Sequence, residues 1–590
     1  MRLIPTPKNI TELEGTFDLA GKFITLEAGC EYRVCKCAQA LCDKINACGG
    51  EKSYVKLGKS GNVFVTHGNA ESAGYALKIS ENYVEVCGAG AKGAFYGLQT
   101  LMQLITLSGG TKIPCMLIED KPDYTVRGFY HDITRGRVPT LETLKEIIDE
   151  MASYKLDQLQ LYVEDSFAFK ELEGVMKDDE VLSADEIIEL DNYCYERFIE
   201  LVPSVASFGH LYNQLQCENF KHLCEYENYE PHQHYWLEKM SHHTVDVSND
   251  ESLELVCSRI DQFAALCRSD KFNICCDETF DLCKGKNAGK DAGKEYFDFV
   301  LKIIDHMKKI GKRSMMWGDI VLEHPEKLAL LPADTIMLNW CYSKEPIEKD
   351  VKTFAASGMT QYVCPSTNAW NRYIEQTGIG HDNISRMARF GHESGAEGFL
   401  NTNWGDYGNV CSLGAEKYGF VLGAERAWNA TDEPLDTEWH KTFSKLVFFP
   451  DKTVEKSPDM VDIIFKASLC EENVRWMEFV PWFSANYIEN RDIPLYEVDE
   501  KLCRANIETL TGIVETLRSF GGENLNMHDF RLAVEAVIMM NKFHLHFAGF
   551  EKEPVDNSAW LKEYSGAWLD RCKPSQLYVV QEFLSNVFTK

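Results

Sequence analysis

The stretch RGFYHDITRGRVPTLETLKEIIDEMASYKLDQLQLYV, residues 127–163, decides the fold class. A short apolar run, GFYHDI (128–133), is followed by an amphipathic helical pattern, LETLKEIIDEMASY (141–154), and then by a second apolar run, LDQLQLYV (156–163). Strand, helix and strand in that order form a unit whose strands lie parallel under a covering helix. The rhythm continues downstream through ELVPSVASF (200–208), KFNICCD (271–277), RSMMWGDIV (313–321), TIMLNWCY (335–342), QYVCPS (361–366) and GFLNTNW (398–404). YFDFVLKIIDHMKKIG (296–311) supplies another amphipathic helix after the fourth run. Eight such strands predict a (β/α)8 barrel over 123–430. An open doubly wound sheet is the competing topology. It is disfavoured because no Gly-rich phosphate loop follows the first strand, whereas polar and aromatic residues follow almost every one.

On either side the pattern changes. Residues 1–122 read as a small α/β domain: GYALKI (74–79) and YVEVCG (83–88) alternate at period two around a turn, and GAFYGLQTLMQLI (93–105) shifts to helical spacing. Pro122 falls in the expected linker. Residues 431–590 lose strand signals, and NIETLTGIVETLRSF (506–520) and DFRLAVEAVIMMNKFHLHF (529–547) predict a helical domain. That domain is expected to support the barrel or to form a homodimer interface.

Composition narrows the function. The 590 residues carry a net charge of −30, from 61 basic and 91 acidic residues, which argues against a nucleic-acid partner. No apolar stretch approaches the ~20 residues of a membrane span. The N-terminal residues MRLIPTPKNITELEG lack the apolar core of an export signal, and the 21 cysteines are scattered, often at apolar positions. A cytoplasmic location with reduced thiols is the expectation. The cysteines between 30 and 48 lack zinc-site spacing, and His232 and His234 read as surface or packing residues, so no metal or other cofactor is expected.

In a barrel of this kind the chemistry gathers at the C-terminal strand ends. Those ends carry Asp165, His210, Asp277 with Glu278, Trp317 with Asp319, Trp340 with Tyr342, Trp370, and Trp404 with Asp406, while Arg127 opens the first strand. Indole faces stack on the C–H faces of sugars, and carboxylates with arginine hold hydroxyls, so the set reads as a carbohydrate site. Asp277 and Glu278 are neighbours, and neighbours in a regular strand point to opposite faces. Both reach one substrate only if the strand ends or bends there.

Residues 127–169 resemble the opening of the catalytic barrel of glycoside hydrolase family 20, the β-N-acetylhexosaminidases, and ICCDET (274–279) is similar to that family's strand-four signature. GAFYGLQTLMQLI, MMWGDI, LNWCY and NTNWGDYG extend the resemblance over roughly residues 60 to 430. Two departures stand out: cysteine occupies positions 275 and 283, where the family often has glycine.

The resemblance implies an exo-acting, retaining enzyme that removes terminal GlcNAc or GalNAc from an oligosaccharide without a metal. In this family the substrate's own 2-acetamido oxygen attacks, giving an oxazolinium intermediate. Glu278 is then the acid/base and Asp277 the carboxylate that holds the acetamide. His210 and Asp165 are implied as a relay behind the acid/base, and Arg127 as the grip on the outer hydroxyls. Trp317, Trp340 and Trp404 would wall the acetamide pocket and Asp406 bind hydroxyls, with Trp370 and Asn371 at the rim. Tyr342 is the expected donor to the acetamide oxygen, with Tyr373 as the other candidate. A lacto-N-biosidase-like family member and a non-catalytic sugar-binding barrel are the alternatives.

Overall fold

The computed structural model describes residues 2–174, 176–177, 180–226, 244–450, 458–472, 498–520 and 523–589. His232 and His234 lie outside the described residues.

The N-terminal segment forms a seven-stranded sheet from β1 (Asn9–Asp18), β2 (Ile24–Leu26), β3 (Val55–Leu57), β4 (Val63–His67), β5 (Tyr75–Ile79), β6 (Val84–Gly88) and β7 (Lys112–Asp120). The strand order is β1-β7-β5-β6-β4-β2-β3. The hairpin expected at 74–88 is β5–β6, paired antiparallel from Tyr75↔Gly88 to Ile79↔Val84. The helix Ala91–Ser108 packs on this sheet with Leu98, Leu101 and Leu104 buried, while Phe95 meets Phe198 at a centroid distance of 5.3 Å. Its close approach needs Gly88, where an added Cβ would sit 2.2 Å from the Ala94 nitrogen.

The eight apolar runs are the eight strands of a closed, all-parallel barrel: β8 (Val126–Asp132), β9 (Gln158–Val163), β10 (Glu200–Val205), β11 (Lys271–Asn273), β12 (Arg313–Trp317), β13 (Ile336–Trp340), β14 (Gln361–Cys364) and β15 (Gly398–Asn403). β15 closes onto β8 with six residue pairs, Gly398↔Val126 through Asn403↔His131. Burial of nearly every residue in these strands explains why they read as continuous rather than alternating runs. The fold class expected from the sequence is therefore the one observed.

The two flanking regions grip opposite ends of the barrel. Lys92 pairs with Asp157, just before β9, at 2.6 Å, and Tyr96 receives a hydrogen bond from Arg127 at 2.8 Å. Both contacts lie at the N-terminal strand ends. The C-terminal helices instead hold loops that follow the strands. Tyr564 accepts from Arg137 and donates to the Val410 carbonyl, Asp529 accepts from the Gly414 amide, and Glu471 accepts from the amides of Tyr373 and Ile374. The loops after β8, β14 and β15 are thus fixed from behind.

Candidate active site

β11 is only three residues long, because the chain turns away from the ladder immediately after Asn273. Ile274 still donates to Met315 at 2.9 Å, and Trp317 donates to the Cys275 carbonyl at 3.0 Å. Cys275, Cys276 and Glu278 then adopt φ of +57°, +65° and +47°. For L residues this left-handed region costs on the order of 1–2 kcal/mol each, so the surroundings must impose it. The bend required by the adjacent acids is present. Glycine would take this conformation without strain at position 275, where this chain has cysteine. His210 (φ +58°), Asn371 (φ +60°) and Asp406 (φ +45°) share this geometry at other strand ends.

The turn directs both carboxylates into a cavity of about 200 Å³ at the C-terminal mouth. Its lining comprises Arg135, His210, Asp277, Glu278, Trp317, Trp340, Tyr342, Trp370, Trp404 and Asp406. A larger cavity of about 670 Å³, between the N-terminal domain and the barrel, contains none of these residues. His210 Nε2 lies 3.4 Å from Glu278 and 3.6 Å from Asp277, at ion-pair rather than ideal hydrogen-bond geometry. Burial works against charge on this imidazole, but Asp277 and Glu278 outweigh it and push its pKa up to about 10. The imidazole thus sits between the two carboxyls, and their charge favours its protonated form.

The aromatic walls brace one another. Trp404 Nε1 donates to the Tyr342 hydroxyl at 2.7 Å, and Trp340 stacks on Tyr342 with ring centroids 4.9 Å apart. Tyr342 also meets Trp370 at 5.4 Å, while Trp317 and Trp404 approach to 5.8 Å above Tyr130. Tyr373 is buried away from the cavity against Trp560 and Tyr564, which leaves Tyr342 as the tyrosine in reach.

Three expectations need revision. Arg127 is 1% exposed and held by Asp157, Tyr96 and the carbonyls of Lys155 and Tyr124, at the opposite end of the barrel. It cannot grip a sugar in this cavity. The arginine there is Arg135, just past the C-terminal end of β8, paired with Glu164 at 2.9 Å and Asp406 at 3.0 Å. Burial opposes its charge, yet Glu164 and its other acidic neighbours hold the guanidinium protonated. Arg135 in turn offsets the burial that pushes Asp406 up to about 6.

The second revision concerns the relay. His210 Nδ1 faces Glu164 at 3.9 Å and Arg135 at 3.4 Å, whereas Asp165 accepts from Thr134 Oγ1 at 2.8 Å and from Asn213. Glu164, the neighbouring acid, holds the place assigned to Asp165. Thirdly, Asn371 stands one step behind the rim, where its Oδ1 accepts from the Tyr407 amide at 3.1 Å. Arg135 and Glu164 were both accessible to the rule that chemistry follows strand ends, since Glu164 comes directly after β9 and Arg135 three residues past β8.

The site can do acid–base chemistry on a ligand held between indoles. A model of the glycosyl hydrolase family 20 catalytic domain matches residues 124–394, and one of that family's domain 2 matches residues 1–121. A beta-hexosaminidase of Porphyromonas gingivalis is 24% identical over 57% of this chain and 47% of its own length. One from Akkermansia muciniphila is 31% identical over 24% of this chain and 32% of its own. The chain thus spans less than half the length of these curated relatives. Among solved structures, a Flavobacterium johnsoniae chitobiase superimposes with a TM-score of 0.64 at 15% identity, covering 100% of this chain and 99% of that one. A Streptomyces plicatus beta-hexosaminidase mutant in complex with product GlcNAc gives 0.59 at 18% identity, covering 78% and 97%. With two models of one family spanning the N-terminal sheet and most of the barrel, the chain belongs to glycoside hydrolase family 20.

Proposed function

We propose that this protein is an exo-acting, retaining β-N-acetylhexosaminidase that releases terminal GlcNAc or GalNAc by substrate-assisted catalysis. The observation that carries this reading is the pairing of Asp277 and Glu278 around His210 at the floor of the tryptophan-lined cavity, with one polar atom of each residue within 4.8 Å of the others. At about 200 Å³ the cavity is smaller than the usual 300–1,000 Å³ of drug-sized sites, which favours one sugar ring over the disaccharide of a lacto-N-biosidase. The acid pair speaks against a non-catalytic barrel.

In this mechanism Glu278 protonates the glycosidic oxygen and later draws a proton from the attacking water. Asp277 accepts the acetamide N–H, turning its oxygen toward the anomeric carbon, and offsets the positive charge that grows on nitrogen. Trp317, Trp340 and Trp404 press the acetamide beneath the ring and exclude water, and the Tyr342 hydroxyl meets its oxygen. Arg135 and Asp406 take outer hydroxyls. His210, backed by Glu164, keeps the two carboxylates in register. A cytoplasmic setting fits the 21 cysteines, many of them buried at apolar positions.

Titration with a thiazoline analogue of the cyclised intermediate tests the mechanism. The wild type is expected to bind it far more tightly than substrate, and Asp277→Asn to lose at least ~10²-fold of that affinity, because an amide does not offset the positive charge. Equal thiazoline affinity in the two proteins, or a glycosyl ester trapped on a side chain, would assign Asp277 a different role.

A further inference from the structure

The left-handed turn leaves the amide of Glu278 without a ladder carbonyl to meet, and a buried N–H must be satisfied somewhere. Here it donates to Asp319 Oδ2 at 3.1 Å. Asp319 follows β12 by two residues, so the side chain of one strand end completes the hydrogen bonding that the ladder between β11 and β12 abandons. An asparagine would accept this bond equally well. The carboxyl is therefore the feature to explain.

Asp319 is half-buried as a residue, but its Oδ1 is sealed from solvent without a hydrogen-bond partner, as is Oδ1 of Asp277. Among the described residues, the titratable groups coupled most strongly to it are Asp277, Glu278, Cys276 and Tyr296, none of them a cation, while His210 reaches Asp277 and Glu278 at 3.6 and 3.4 Å. The Tyr296 hydroxyl is already donated to the Cys276 carbonyl at 2.7 Å. Asp277 and Asp319 each bury an unpartnered oxygen, and two such coupled carboxylates do not both ionise cheaply. Asp277 must carry charge if it is to hold an acetamide N–H and the cation that follows.

We propose that Asp319 is the positioning residue of the acid pair: one oxygen fixes the turn that presents Glu278, and the other keeps a proton, leaving Asp277 the sole negative charge of the facing carboxyls. This rests on the hexosaminidase reading above. Burial, followed by the charge of Asp277, raises the Asp319 pKa to about 7, in line with the geometry. Because Glu278 also raises it, an ionised Asp319 raises Glu278 in return. Loss of the Asp319 proton should therefore be felt on the alkaline side of the pH profile, where Glu278 must still be protonated.

The test is the pH dependence of kcat/KM on an aryl N-acetylglucosaminide for wild type, Asp319→Asn and Asp319→Leu. Asp319→Asn keeps the acceptor and is permanently neutral. It should retain activity, leave the acid limb in place, and move the alkaline limb to lower pH by about half to one pH unit. Asp319→Leu frees the Glu278 amide, and kcat should fall by ~10²-fold at every pH with KM little changed, as expected for misplacing an acid by a fraction of an ångström. Product binding followed by tryptophan fluorescence checks that the leucine variant is folded. If it is not, the asparagine profile decides alone. An asparagine profile that overlays the wild type, or one in which both limbs move, would overturn the proposal, as would a fully active folded leucine variant. Absence of turnover by the wild type itself would instead count against the hexosaminidase reading.

Discussion

Two arginines, eight residues apart in sequence, have opposite fates because they stand at opposite ends of one strand. Arg127 is part of the foundation beneath the barrel, and Arg135 reaches the cavity. Arg127→Met should lower stability by about 3 kcal/mol, since it strips a buried carboxylate, Asp157, of one partner. The folded fraction should keep its kcat/KM. Arg135→Ala should lose about 10²-fold in kcat/KM through a missing charged contact to substrate. Thermal unfolding and steady-state kinetics on both variants separate the two roles, and the reverse pattern would restore Arg127 to the site.

At the scale of the element, the turn after β11 determines where the chemistry can occur. Cys275, at φ +57°, packs its thiol 3.5 Å from the Ser204 hydroxyl. Cys275→Gly should change stability by less than ~1 kcal/mol, because relief of left-handed strain is offset by the greater freedom of the unfolded chain. Cys275→Val should cost about 2–3 kcal/mol and reduce turnover, because a β-branched residue resists this conformation most. Chemical denaturation with a parallel rate assay distinguishes them, and an unimpaired valine variant would mean the turn is softer than its dihedrals imply. The eight barrel strands were legible because burial on both faces writes each as an uninterrupted apolar run. The bend was legible too, from two adjacent acids that share a purpose. Which acid after β9 faces His210 was not: Glu164 and Asp165 are neighbours, and the choice depends on how the chain leaves the strand. Asp319 was visible at the end of β12, but its bond to the Glu278 amide depends on a turn made by another strand.

At the scale of the whole molecule, the N-terminal domain seals a charged residue into its junction with the barrel. Lys155, at φ +62°, is buried near the rings of Tyr75 and Trp428, and its Nζ has no hydrogen-bond partner. Burial lowers its pKa from 10.5 to about 8, with Asp120 and Glu425 offsetting part of the effect. A lysine with a depressed pKa is protonated more readily in the unfolded chain. The resulting penalty is fully present below about 8 and fades as pH rises through 10.5. Lys155→Met should therefore stabilise the protein at neutral pH by about 1–3 kcal/mol, less than the bare shift because two carboxylates lose a neighbour. The advantage over wild type should shrink across that alkaline window. A stability difference that stays flat with pH would show that Lys155 remains charged in the folded state. The C-terminal helices act at the other end, where Glu471, Asp529 and Tyr564 brace the loops behind Trp370 and Asp406.

The central claim, that the substrate's acetamide is the nucleophile in a pocket built to fold it back, is tested most directly by one kinetic comparison. The same aryl leaving group is placed on β-N-acetylglucosamine and on β-glucose, and kcat/KM is measured for both with the wild-type protein. The hydroxyl sugar has nothing to attack with and leaves the indole-walled space empty, so its rate should be lower by at least ~10³-fold. Comparable rates on the two sugars would mean that a protein carboxylate performs the attack, contradicting the roles assigned to Asp277 and the tryptophans around it.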